Sequence, residues 1–123
     1  MAVDAVSKIE ERGDDPVLVS QVLIEFWAVV TRPENVNGFG WSTQQAEREI
    51  FHLIRRFQVL TEPATIFSSW FELATKYGVS DRRAHDTRLV AIMKELGIRH
   101  LVTFNTDDFK SFLEISAIHP SDV

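Results

Sequence analysis

Cysteine is absent from the 123 residues. That excludes a disulfide framework, a thiolate metal site and a cysteine nucleophile, and it fits a reducing compartment. No apolar run approaches the ~18 residues that a membrane span requires. Met1–Gly13 mixes acids and bases and lacks the apolar block of a secretory leader. Internal repeats, low-complexity tracts and linkers are missing as well. A soluble, cytoplasmic protein with a single domain over residues 1–123 is therefore expected. An excess of positive charge is also lacking: 18 Asp and Glu stand against 13 Lys and Arg, for a net charge of -5. This speaks against a wholly basic nucleic-acid coat. It leaves room for an enzyme that meets nucleic acid through cations held by carboxylates.

What is present is a composition of 45% hydrophobic and 25% charged residues, close to the globular average and unlike a disordered chain. A chain of this length buries roughly two-thirds of its unfolded surface. The charge is unevenly spread. Residues 1–30 carry six acids and two bases, whereas residues 81–110 carry six bases and five acids.

Apolar spacing predicts a helix over Ala2–Arg12, with Val3, Val6 and Ile9 recurring at intervals of three. Gly13-Asp14-Asp15-Pro16 turns the chain. Val17-Leu18-Val19 reads as a buried strand. Ser20 then caps a helix whose stripe is Val22, Leu23, Phe26, Val29 and Val30, ending at Thr31-Arg32-Pro33. Glu34–Trp41 is a loop. Ser42 or Thr43 caps a helix with Ala46, Ile50, Leu53, Ile54 and Phe57 inward. Val59-Leu60 is a strand. A helix starting at Glu62-Pro63 carries Ile66, Trp70, Leu73, Ala74 and Tyr77 on one side and ends at Gly78. Val79–His85 is a polar loop, and Asp86–Leu96 is a helix with Leu89, Val90, Met93 and Leu96 inward. Leu101–Phe104 is a strand, Thr106–Phe112 a short helical turn and Ile115–Ile118 a last strand. Helices alternating with short apolar strands predict an α/β protein with a parallel sheet.

Ligands of such sheets meet the carboxyl ends of the strands, which directs attention to a few polar residues. Glu25 sits among Leu23, Ile24, Phe26 and Trp27, and a carboxylate buried there needs a partner or a metal. Asp86, preceded by His85, stands at a helix start. Asn105, Asp107 and Asp108 follow the third strand. Three carboxylates and an amide from three segments can converge on one hard cation, and oxygen-only ligation selects Mg²⁺ or Mn²⁺. Each residue also has a plainer reading. Glu25 fits the solvent face of an amphipathic helix, and Asp86 fits an N-cap. Asp107 and Asp108 fit a helix start, and His85 fits a hydrogen-bonded loop. Arg82, Arg83 and Arg88 fit a solvated face, although their place around Asp86 also suits phosphate contacts. Phe26, Trp27, Phe57 and Trp70 are expected in the core.

Taken together, three segments resemble the PIN-domain nucleases of VapC toxin type. They are Ser20-Gln21-Val22-Leu23-Ile24-Glu25-Phe26-Trp27 with the following Thr31-Arg32-Pro33 and Asn37-Gly38-Phe39-Gly40, then His85-Asp86-Thr87-Arg88-Leu89-Val90-Ala91, and Leu101-Val102-Thr103-Phe104-Asn105-Thr106-Asp107-Asp108-Phe109. The resemblance covers nearly the whole chain. It implies a three-layer α/β/α sandwich and an Mg²⁺- or Mn²⁺-dependent ribonuclease. It assigns Glu25, Asp86 and Asp108 as catalytic carboxylates and metal ligands, with Asn105 assisting where many relatives carry Asp. It implies an RNA substrate, a VapB-like antitoxin partner and a homodimer. Arg82, Arg83 or Arg88 would meet the RNA backbone.

The family pattern opens with a strand ending in Asp, and this sequence contains no such strand. Asp4, the nearest acid, falls inside a helical pattern. The expectation is thus a domain short of its N-terminal strand, by roughly twenty residues on the family's pattern, with one carboxylate fewer at the metal. A start placed too late, a truncated remnant, or a strand supplied by a partner would each account for it. The alternative to an active nuclease is a catalytically inactive remnant that serves only as a protein-binding module.

Overall fold

The structure, a computed structural model, describes residues 2–123. Among the described residues five helices and four three-residue strands follow one another: α1 (Ala2–Glu11), β1 (Val17–Val19), α2 (Ser20–Thr31), α3 (Thr43–Arg56), β2 (Gln58–Leu60), α4 (Ile66–Tyr77), α5 (Arg83–Leu96), β3 (His100–Val102) and β4 (Ser116–Ile118). Short 3-10 turns occupy Glu34–Val36, Thr106–Asp108 and Pro120–Asp122. The expected α/β class is found, and every strand pair is parallel. The strands form two separate pairs. Val17, Leu18 and Val19 lie opposite Gln58, Val59 and Leu60, while His100, Leu101 and Val102 lie opposite Ser116, Ala117 and Ile118. Among the described residues β1 and β3 each pair along one edge only. The chain divides into two compact units. One holds the segment ending at Asp14 together with Glu62–Val123, and the other is Asp15–Thr61.

In the Asp15–Thr61 unit, β1 runs directly into α2. Ser20 is the first helical residue rather than the cap expected of it, and the N-cap, Val19, makes no side-chain cap bond. Val19 is already a strand residue in extended backbone, so strand and helix share a boundary and leave no turn for a cap. Arg32-Pro33 ends α2, because a proline disfavours helical backbone in the residue before it. The chain then folds back tightly, with Gly40 N–H donating to Arg32 O at 2.8 Å and Trp41 N–H to Val30 O at 2.8 Å. Gly38 makes this possible: a Cβ there would stand 2.0 Å from the Arg32 carbonyl oxygen. Trp41 packs edge-on against Phe26 and Phe39. Ser42 then caps α3 in a reciprocal pair with Gln45, as its position before the apolar stripe predicts.

The other unit is built round α5. Leu89, Val90, Ala91, Ile92 and Met93 are all buried, whereas the spacing of the sequence places only Leu89, Val90 and Met93 of these inward. A helix that is apolar on all sides must be covered on all sides. Leu73 of α4, Phe109, Phe112 and Ile115 are buried in the same unit. The core aromatics of this unit are therefore Phe109 and Phe112. Trp27, in the other unit, is exposed, and Phe26, Phe57 and Trp70 are half-buried. Among the described side chains of α1 the buried one is Ala5, while Val3, expected inward, is 78% exposed. α4 begins at Ile66, four residues after the expected Glu62, and Glu62 in the segment before it is the ion-pair partner of Arg88. Gly78 closes α4 in left-handed backbone, with φ 59°, a conformation that glycine adopts without steric cost.

The end of α4 is tied to the segment before β4 by one polar cluster. Glu114 accepts from Lys76 Nζ at 2.8 Å and from Tyr77 Oη at 2.7 Å. The same phenol oxygen accepts from Leu113 N–H at 3.0 Å. Burial alone would push the Glu114 carboxyl up, but the hydrogen bonds from Lys76 and Tyr77, a backbone bond and the Lys76 charge together hold it below its usual 4.5. The reciprocal bond from Glu114 raises Lys76, against a smaller opposing effect of burial. Because the folded carboxyl titrates below the unfolded one, its contribution to stability is present above the unfolded value and is lost as pH falls through the folded value. Glu114→Gln is expected to lower Tm by roughly 3–5 °C near neutral pH. It should also flatten the decline of stability on the acid side, as checked by thermal melts from neutral to acidic pH.

Candidate functional site

Each candidate carboxylate arises from a local structural cause. Glu25 lies in α2, which leaves the carboxyl end of β1. Asn105 and Asp108 follow the carboxyl end of β3. Thr103 N–H extends that ladder by donating to Ile118 O at 3.0 Å, and the Thr103 hydroxyl accepts from Asn105 N–H at 3.1 Å. The chain then closes into the 3-10 turn, with Asp108 N–H donating to Asn105 O at 3.1 Å and Phe109 buried behind it. Asp108 and Asn105 thus stand on one exposed turn at a strand end, where the sequence places them. Asp107, on the same turn, points its carboxylate at Lys110, 3.3 Å away.

Asp86 is half-buried in the first turn of α5. It is not the helix cap: α5 starts at Arg83, one turn before the residue that the sequence suggests, and Arg82 occupies the cap position without a side-chain cap bond. The loop expected over Val79–His85 is shorter for the same reason. Its polar residues are compatible with helix, and the Ser80, Asp81 and Arg82 carbonyls accept from Arg83, Ala84 and His85 N–H in turn. A carboxylate in the first turn of a helix is favoured by the dipole.

For Glu25 the solvent-face reading holds. Its flanking residues are large and apolar, yet the carboxylate is exposed, and the buried residues of α2 are Gln21 and Val30. Ile24 and Trp27, its neighbours, are exposed with it. A feature that the sequence reading passed over is the partner of Glu25: Gln21 Nε2 donates to Glu25 Oε1 at 3.0 Å. The signal was there, since residues four apart on a helix are neighbours.

Of the three arginines near Asp86, only Arg82 is exposed. Arg83 donates to Ser111 Oγ at 2.8 Å and lies over the Phe112 ring, 5.3 Å from its centroid. Arg88 forms a two-pronged pair with Glu62, at 2.6 and 3.2 Å. Planar guanidinium suits this fork geometry, and Glu62 is another residue whose role the sequence did not signal.

Asp86, Asn105 and Asp108 belong to one unit and Glu25 to the other. Chemically the set suits a hard divalent cation, being oxygen donors only. Among the described residues no group of three or more His, Asp or Glu side chains stands together to hold a metal ion. No helix of the described residues is long and apolar enough to cross a membrane.

The model of the PIN domain family matches residues 2–114. Among solved structures, that of VapBC-1 from nontypeable Haemophilus influenzae is similar to this chain with a TM-score of 0.68 at 18% identity, over 96% of this chain and 86% of that one. No curated protein matches the sequence.

The fork between Arg88 and Glu62 gives a direct expectation. Arg88→Ala should lower unfolding stability by about 1 kcal/mol in urea titrations. Combined with Glu62→Gln it should cost less than the sum of the two single changes. Strict additivity would show that the pair is not coupled.

Proposed function

This chain belongs to the PIN domain family, and from that premise we propose that it is a nuclease of VapC toxin type that hydrolyses phosphodiester bonds in RNA. The observation that carries the reading is the placement of acids in a chain matched by the family model. Glu25 follows the carboxyl end of β1, and Asn105 and Asp108 follow that of β3, while Asp86 opens α5. Carboxylates at strand ends suit a divalent cation, Mg²⁺ or Mn²⁺, and the ligands proposed for it are Glu25, Asp86 and Asp108, with Asn105 beside them. An unshielded row of acids would repel a polyanion, so RNA binding on this reading calls for the cation and for exposed basic side chains. Arg82 is the basic residue next to Asp86 that remains exposed. A VapB-like antitoxin is the proposed partner, supported by the fold likeness to VapBC-1. A homodimer and a cytoplasmic location complete the proposal.

A second reading is a PIN domain that binds a partner without catalysis. It is favoured by the place of Asp4, the acid nearest to the one that opens the family's pattern, which lies on α1 rather than at the end of a strand.

The two readings diverge in one assay. The nuclease reading expects RNA cleavage by the full chain that requires Mg²⁺ or Mn²⁺ and stops on chelation. Asp86→Asn and Glu25→Gln should each reduce it at least a hundredfold with the melting temperature preserved. Cleavage indifferent to chelation or to both substitutions would overturn the assignment. A folded chain that cleaves no RNA but binds an antitoxin-like protein would establish the second reading.

Binding separates the arginines. Arg82→Ala should weaken RNA binding across sequences and reduce the salt slope by about 1. Arg88→Ala should act through stability instead. Filter binding at several salt concentrations distinguishes them.

A further inference from the structure

We infer that Gln21 is a positioning residue for Glu25, an inference that rests on the reading of Glu25 as a carboxylate of the nuclease site. Three polar side chains are buried among the described residues, namely Gln21, Ser69 and Thr87. Thr87 turns its hydroxyl to the Arg83 carbonyl one helical turn earlier, at 2.6 Å, so its bond stays within the backbone of α5. Gln21 is different. It is 7% exposed, and its amide reaches out of that burial to an exposed carboxylate, with Nε2 donating to Glu25 Oε1 at 3.0 Å.

The physical consequence follows from the contrast between the two side chains. An exposed glutamate keeps much of its rotamer freedom, and holding it in one geometry costs entropy. A buried glutamine has already given up its own freedom to packing on folding. Its amide is therefore a fixed donor, and the bond transfers that fixity to one oxygen of Glu25 while the carboxylate as a whole stays exposed. The donor is also neutral. An ammonium or guanidinium in its place would steady the carboxylate by cancelling its charge, as Arg88 does for Glu62. An amide steadies it and leaves the full negative charge available. A group meant to meet a cation or a polarised water needs both properties, and outer partners of this kind typically affect activity by roughly 10–100-fold. A pair whose only role was to support the helix would change melting and leave turnover alone.

The test uses the full chain. Gln21→Met keeps the length and burial of the side chain and removes the donor. Gln21→Glu keeps the shape and sets two carboxylates against each other. Both are expected to lower kcat for RNA cleavage by roughly tenfold or more with KM changed less than about twofold and the circular dichroism spectrum intact. Independently of activity, the side-chain amide protons of Gln21 should shift in ¹⁵N-resolved NMR spectra on Glu25→Ala. Turnover unchanged in Gln21→Met, in a chain that Glu25→Ala inactivates, would overturn the positioning role and leave the nuclease reading standing. Gln21 amide protons unmoved by Glu25→Ala would overturn the positioning role as well. A wild-type chain that cleaves no RNA, or full cleavage by Glu25→Ala, would overturn the nuclease reading and this inference with it.

Discussion

Five consecutive buried apolar residues on α5, Leu89 to Met93, impose the main constraint on the unit to which the helix belongs. Five residues span more than one full turn, so this helix has no face that can be left to water along that stretch. Cover must come from every side, and the polar groups near it are spent in fastening that cover. Trp70 Nε1 donates to the Ala84 carbonyl at 2.8 Å. Arg88 grips Glu62, and Glu95 accepts from the Thr65 hydroxyl. These fastenings lie at both ends of the buried stretch and all join α5 to α4 or to the segment that leads into it. The position of Asp86 follows from them. It sits on the first turn of a helix held at both ends of its buried stretch, which gives the candidate carboxylate a rigid support.

The sequence was legible wherever a local rule had no competitor. The apolar run Val17–Val19 after a turn is a strand, Ser42 caps its helix, and Gly78 ends its own. Reading failed where tertiary demands outranked spacing. Ala91 and Ile92 are buried because α5 is surrounded, which no single helical stripe encodes. Val3 is exposed because α1 buries Ala5 instead. Of the two readings open for Glu25, the solvent face holds: large apolar neighbours signal burial only if the helix turns them inward, and α2 leaves Ile24 and Trp27 exposed. For the candidate site the residues were legible as motif members, and their partners were not. Glu62 and Ser111 carry no signature until the fold brings them to Arg88 and Arg83, whereas Gln21 stands one helical turn from Glu25 in the sequence itself.

That partnering redistributes the charge read from composition. The basic stretch over residues 81–110 looks uniform as a string. In the structure two of its arginines are occupied, one by a carboxylate and one by a hydroxyl and an aromatic ring. Lys110 is turned toward Asp107. What remains for a polyanion is far narrower than the count of bases suggests, so electrostatic steering by this stretch is local rather than a broad field.

The unit that contains α5 is assembled from two ends of the chain, since α1 packs against the Pro120–Asp122 turn while Asp15–Thr61 forms a unit of its own. Seating α1 therefore closes a loop that contains the whole of Asp15–Thr61. Contacts of such wide sequence separation slow folding, although the entropic cost of closing the loop grows only slowly with its length.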